Sequence, residues 1–338
     1  VQGNINGELS PGTYAELIAA ALRRDMGTVT AITGLSITIT GTGPTYTVTR
    51  SAGDFLTSGI KRGDVVRLTA GAFVAGNLNK NLLVVGITAL ALTVRVLNGS
   101  SLTAEGPIAT STVTLPGKKT YIPSSSHTNK SFTVEHWFSD LVQSERFDGC
   151  FISSLEMQLP ASGLSTIGLG VMGMSMTAAT SQYFTTPTAA STSGLLAAVN
   201  GIALVNGTPI ASLTSMQINV ASARMGDAVV GSNSIPTLFP GRVLVSGQAT
   251  AYFDSVTLRD AFLNETELEL IATLSASNDA AAAFISIALP RVKVNGHTLS
   301  DGEDGLSATV PFQALLPTTG GSGVANELST MVYHDSAA

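Results

Sequence analysis

The sequence predicts a mainly β protein: an antiparallel β-barrel or sandwich core with one or two helices, plus a small β-barrel inserted near its start. Three observations carry this. Leu155, Met157 and Leu159 alternate with Ser154, Glu156 and Gln158, the period of two that gives a sheet one dry and one wet side. Short strand patterns punctuated by Gly, Pro, Asn and Ser recur along the chain. Helical patterns do not alternate with those strands, as a parallel α/β fold requires.

In chain order, a short strand-like start is followed by Ser10-Pro11-Gly12-Thr13 and a helix with Tyr14, Leu17, Ile18, Ala21 and Leu22 at helical spacing, closed by Gly27. Residues 28–114 then read as short strands at 36–40, 45–50, 64–69, 82–87 and 92–97, a small β-barrel complete in itself. Leu115-Pro116-Gly117-Lys118-Lys119 returns the chain to the main domain. The domains predicted are therefore a discontinuous core, 1–27 with 115–338, and an insertion, 28–114. The core continues with strands at 131–138, 151–159 and 167–177. A loop-like stretch over 178–209 is long for a connection within one domain, so it is either functional or locally β. Strands follow at 212–220, 242–254, 267–275 and 283–294, with a short helix over 256–263, a tight hairpin at Asn295-Gly296-His297 and a closing strand at 306–315.

Several segments, in this order along the chain, carry a family likeness: Asn6-Gly-Glu-Leu-Ser-Pro-Gly-Thr-Tyr, Ser131-Phe-Thr-Val-Glu-His-Trp-Phe, Phe147-Asp-Gly-Cys-Phe, Leu289-Pro-Arg-Val-Lys and Ala308-Thr-Val-Pro-Phe-Gln-Ala-Leu. Together they resemble the tail tube proteins of long-tailed bacteriophages, most closely those of non-contractile tails. The resemblance covers the chain outside 28–114. It implies a structural virion protein that stacks as hexameric rings into a conduit for genome ejection. The implied partners are copies of the chain itself, the tape measure, tail terminator and tail tip proteins, and double-stranded DNA in transient passage. It further implies a helix lying along the outside of the tube and a long loop over 178–209 reaching to the next ring, a plain surface loop being the alternative; the insertion, placed between that helix and the core, is expected on the tube exterior. Glu156 and Gln158, on the polar side of the most family-like strand, are the candidate lumen-facing residues. A tail tip, baseplate or adhesin component that binds the host surface is the alternative.

Composition agrees with a subunit covered by neighbours. Charged residues make up only 12% of the 338, about half the usual share, and a free monomer ordinarily keeps soluble with more. Residues 1–120 hold 10 Lys/Arg against 6 Asp/Glu, whereas 121–338 hold 7 against 17. Nucleic-acid binders show basic patches, and the larger part here shows the reverse, so it should repel DNA. The single cysteine, Cys150, excludes an intrachain disulfide and any multi-cysteine metal site. No apolar run reaches a membrane span and the start lacks the build of a signal peptide, so assembly in the host cytoplasm into the virion tail is expected, with no membrane partner.

Chemical motifs are few, and neither enzyme activity, metal nor cofactor is expected. Gly168-Leu-Gly-Val-Met-Gly173 matches the dinucleotide fingerprint but lies inside a strand pattern instead of opening a helix, so its glycines read as places of close approach. Of the four histidines, His136 is best placed, yet Glu135 and His136 face opposite sides of a strand. Asp301-Gly-Glu-Asp-Gly305 departs from the EF-hand spacing and reads as a solvated turn. Glu265, Glu267 and Glu269 fall on one side of a strand pattern, predicting an exposed acidic face, either a plain surface or part of a lumen or seam.

Overall fold

The computed structural model describes all residues except 100, 190, 211, 233, 253–258, 261–262 and 303–304, with the side chains of 301 and 302 also outside it. The protein is mainly β, as expected. It opens with β1 (Gln2–Glu8) and α1 (Ala15–Leu22). The Ala/Leu/Ile run favours the helix, and Glu16 in the first turn suits its dipole. The helix ends at Arg23, in the left-handed region at φ 60°, and not at Gly27 as the sequence suggests. A non-glycine residue there costs about 1 kcal/mol, but the Arg23 side chain is buried and donates to the Gly241 carbonyl and to Asn129, contacts that a glycine could not make.

Six strands close the small barrel: β2 (Ile32–Thr40), β3 (Thr45–Arg50), β4 (Val65–Ala70), β5 (Leu82–Ile87), β6 (Ala91–Val96) and β7 (Glu105–Thr114), in the order β2-β3-β6-β5-β4-β7. Their inward residues, among them Ile37, Val48, Leu68, Leu82 and Val94, form a separate core with Phe55 of the β3–β4 connection. The sequence pattern missed β7, where Gly106 and Pro107 break the alternation. Closure needs β7, because it pairs with both β2 and β4.

The remainder is β8 (Lys118–Tyr121), β9 (Phe132–Phe138), β10 (Gln143–Pro160), β11 (Thr166–Met172), β12 (Ser175–Ala179), β13 (Gly201–Val205), β14 (Thr208–Pro209), β15 (Leu213–Ala221), β16 (Leu244–Tyr252), β17 (Leu268–Ser275), β18 (Phe284–Val294), β19 (Thr298–Gly302), β20 (Gly305–Ala314) and β21 (Val332–Asp335). One layer runs β1-β11-β10-β15-β16-β20, and the sheet then turns through β18 into a second layer with β17, β13, β21 and β8. Leu155, Met157, Leu169, Ile218 and Phe312 of the first layer meet Leu270, Leu274, Ile285 and Ile287 of the second, with Ile18 and Leu22 of α1, in one core. The second layer is buried on its other side too: Ile271, Phe284, Ala288 and Val332 pack on Val65 and Leu83 of the barrel. The order across the molecule is thus first layer, core, second layer, junction, barrel.

Several expectations change. The strand placed at 151–159 begins at Gln143, so β10 runs 18 residues. Its first part pairs with β9 and β12 and its last with β11 and β15. The 167–177 strand is broken, because the Met174 N–H donates to Asp148 O. Part of 178–209 is β: β13 extends the edge of β17. Asn295-Gly296-His297 is no hairpin, since β18 and β19 both run antiparallel to β20. Pro311 opposite has no N–H to give, so the ladder slips there and Asn295 N donates to Pro311 O. The closing strand is β21, between β18 and β8, and not β20. The short helix expected over 256–263 falls mostly outside the described residues.

A polar sheet face as the candidate functional site

One face of the first layer packs on the core and α1; the other is open. Register sets what the open face carries. Asn6, Gly168, Glu156, Asn219, Ser246 and Gln313 stand opposite one another across β1, β11, β10, β15, β16 and β20. Beside them run Glu8, Thr166, Gln158, Gln217, Gln248 and Pro311. A third row adds Pro160, Ser215, Thr250 and Thr309. None of these is Lys or Arg. The two carboxylates stand among amides and hydroxyls.

The face is knit together by its own side chains. Glu156 Oε1 accepts from Gln158 Nε2 at 2.6 Å and from Gln217 Nε2 at 2.8 Å, and Gln217 leans toward Asn219 at 3.4 Å. Thr250 and Thr309 hydroxyls meet at 3.2 Å. Bonds of this kind hold long amides flat along the sheet instead of letting them sweep into solvent. Gly168 and Gly170 keep the strand between β1 and β10 low: a Cβ at Gly170 would lie 2.3 Å from Ser154 Oγ, and one at Gly168 3.2 Å from Asn6 Oδ1. An open groove of about 670 Å³ follows, with Glu8, Glu156 and Gln158 along it. Gly168 and Gly170 serve close approach inside a sheet, as their strand context implied, whereas Gly173 lies in the break between β11 and β12.

Glu156 and Gln158 therefore sit on the open polar face, mid-sheet. Sequence reasoning missed Gln217, Asn219, Gln248 and Gln313, each of which alternates with buried neighbours in its own strand; only the register joins them into one surface. The acidic face expected from Glu265, Glu267 and Glu269 does not form. Lys293 and Arg291 meet Glu265 and Glu267, and Glu269 is buried against Arg62 of the barrel region. Burial pushes the Glu269 carboxyl up to about 7, against the pull of Arg62.

The remaining candidates have structural contacts. Glu135 accepts backbone N–H groups of Tyr183 and Phe184 at 2.6 and 2.8 Å and the Ser144 hydroxyl at 2.5 Å, tying the loop after β12 to β9. The His136 ring lies 4.1 Å from that of Phe138 on the same side of β9. Cys150 is buried, its thiol directed at Phe147 O. Among the described residues no group of His, Cys, Asp and Glu is arranged to hold a metal ion. The acidic turn at 301–305 lies partly outside the described residues.

A family model described as phage tail tube protein matches residues 1–314. The chain belongs to this family. The match runs through 28–114 as well, the region without segment likeness in the sequence. Among curated proteins, none matches the chain. Family membership makes this a structural component of the virion tail, and no helix among the described residues is long and apolar enough to cross a membrane.

Proposed function

We propose that copies of this tail protein form hexameric rings that stack head to tail, with the open polar face lining the conduit through which the genome leaves. The observation that carries the reading is the row register: three rows across six adjacent strands present amides, hydroxyls and two carboxylates with no Lys or Arg, the neighbouring cation being Lys293 of β18, opposite Gln313 and neutralised by Glu265. Each phosphate–cation contact adds salt-dependent affinity. A wall without them lets DNA slide on water and counterions.

Two further features support it. Among the described residues, β1 pairs with β11 only, so its outer edge is open to a strand from a neighbouring copy, and joining sheets around a ring removes such edges. The barrel lies across the second layer from the polar face, so a polar lumen puts residues 28–114 on the tube exterior. Tape measure, tail terminator and tail tip proteins are the further partners of such a tube.

The test is the pair Glu156→Lys and Gln158→Lys. Tails carrying both should assemble and eject DNA more slowly, more so at low salt. Ejection at the normal rate from assembled tails would contradict the assignment.

A further inference from the structure

Buried cations elsewhere in the core lack anions. Arg23 and Arg224 are 8% and 5% exposed. Arg23 gives its two Nη groups to Gly241 O and Asn129 Oδ1, leaving Nε without a partner. Arg224 gives Nε to Ile152 O at 3.2 Å, lies 4.5 Å over the Phe151 ring and has both Nη groups enclosed and unpartnered. Neither forms an ion pair among the described residues, and each stands near enough for their charges to repel. A guanidinium cannot shed its proton to escape this, and a buried unpaired charge is costly. His127 adds a third basic group, its pKa lowered by burial and then by Arg23.

Beside Arg23 a cavity of about 310 Å³ opens to the surface. His127, Arg242 and the unpartnered Thr330 hydroxyl line it, no acidic residue does, and Leu244 and Leu316 form an apolar, partly exposed wall. The cavity thus combines a cationic floor with an apolar side. A free inorganic anion, hydrated all round, gains nothing from that side; a carboxylate on a protein side chain, with its methylenes and neighbours, uses both. Carboxylates are what the chain has in excess, 17 against 7 Lys/Arg over 121–338. Asp140 and Asp227, away from the polar face, are exposed and make no ion pair with described residues.

We propose that the cavity around Arg23, His127 and Arg242 receives a carboxylate side chain from a neighbouring copy of this chain. The site deepens the tube reading and rests on it. The neutralising anion arrives only on assembly, so the unpaired cations burden the free subunit and reward the polymer.

The experiment measures, by sedimentation, the concentration at which half the protein enters tubes, for wild type, Arg23→Gln and Arg242→Gln, with thermal melts of the unassembled subunit. Arg242→Gln should melt no lower than wild type, yet need about tenfold or more protein to assemble, and Arg23→Gln, which also gives up its bonds to Gly241 O and Asn129 Oδ1, should show the same assembly defect. One of Asp140→Asn and Asp227→Asn should reproduce the defect, without further loss when combined with Arg242→Gln. Assembly at the wild-type concentration by Arg242→Gln, whose side chain is exposed, together with an Arg23→Gln subunit that melts lower, would make the site structural and overturn the proposal. So would inorganic phosphate raising the melting point of wild type but not of the variants while their assembly stays normal, since the ligand is then a free anion. Wild type that forms no tubes under any condition defeats the tube reading itself, a separate result.

Discussion

The open face of the first layer and the junction between the second layer and the barrel use polar residues in opposite ways. On the face, hydrogen bonds join neutral amides and hydroxyls around Glu156 in solvent. At the junction, formal charges are buried: Lys119 Nζ donates to Asp64 Oδ2 at 2.8 Å with the Asp64 side chain fully enclosed, and Arg62 meets Glu269. Between them His334 accepts from the Val65 N–H through Nδ1 and donates to Pro116 O through Nε2. A chain with so few charges places several of them inside, where they fix the barrel, and keeps Lys and Arg out of the three polar rows around Glu156. Low charge is thus a property of particular surfaces here and not only of composition.

Among single substitutions, the largest effect separating the two regions is expected from Lys119→Met, which leaves the enclosed Asp64 side chain without its ammonium partner. A loss of about 3–5 kcal/mol is expected, read as a lower urea midpoint. A midpoint within error of wild type would show that the junction pair contributes nothing. Replacing 28–114 by a linker should be worse still, because it takes Asp64 from Lys119 and Arg62 from Glu269 and uncovers Phe284, Ile271 and Val332; the product is expected to aggregate when expressed. A soluble, cooperatively melting core would show the junction to be dispensable.

The junction also has a pH signature. His334, pulled down to about 4 by burial, favours the fold above its unfolded pKa near 6.5, and that stability is lost as pH falls toward 4. Glu269, raised to about 7, acts in reverse: its contribution is complete below about 4.5 and lost as pH rises through 7. The two oppose each other between about 4.5 and 6.5, so wild-type stability should be nearly flat there. Glu269→Gln removes one side and should lose about 3 kcal/mol on acidification across that window. A flat profile in the variant would contradict the linkage. The same exchange on the open face, Glu156→Gln, keeps an acceptor in solvent and should shift stability by under about 0.5 kcal/mol.

How much of this the sequence discloses follows from the range of each interaction. Alternation is local, so β3 and β5 are legible to the residue and the polar side of β10 is plain from Ser154, Glu156 and Gln158. Pairings between distant segments are not local. β21 hides in four residues that become a strand by lying between β8 and β18. Glu269 reads as one of three exposed acids until Arg62, some 200 residues earlier, is brought against it. The open face was half legible: each strand shows its own polar side, but the alignment of Glu156 with Asn219, Ser246 and Gln313 depends on a register no single strand encodes.

The central claim is that the face carrying Glu156 looks into the conduit, and an electron cryomicroscopy map of assembled tails tests it most directly. The account predicts Glu156, Gln158, Gln217 and Gln248 on the inner wall, with the barrel of β2 to β7 at the outer radius. A map that places those four residues on the outer wall, or the barrel toward the channel, would contradict it.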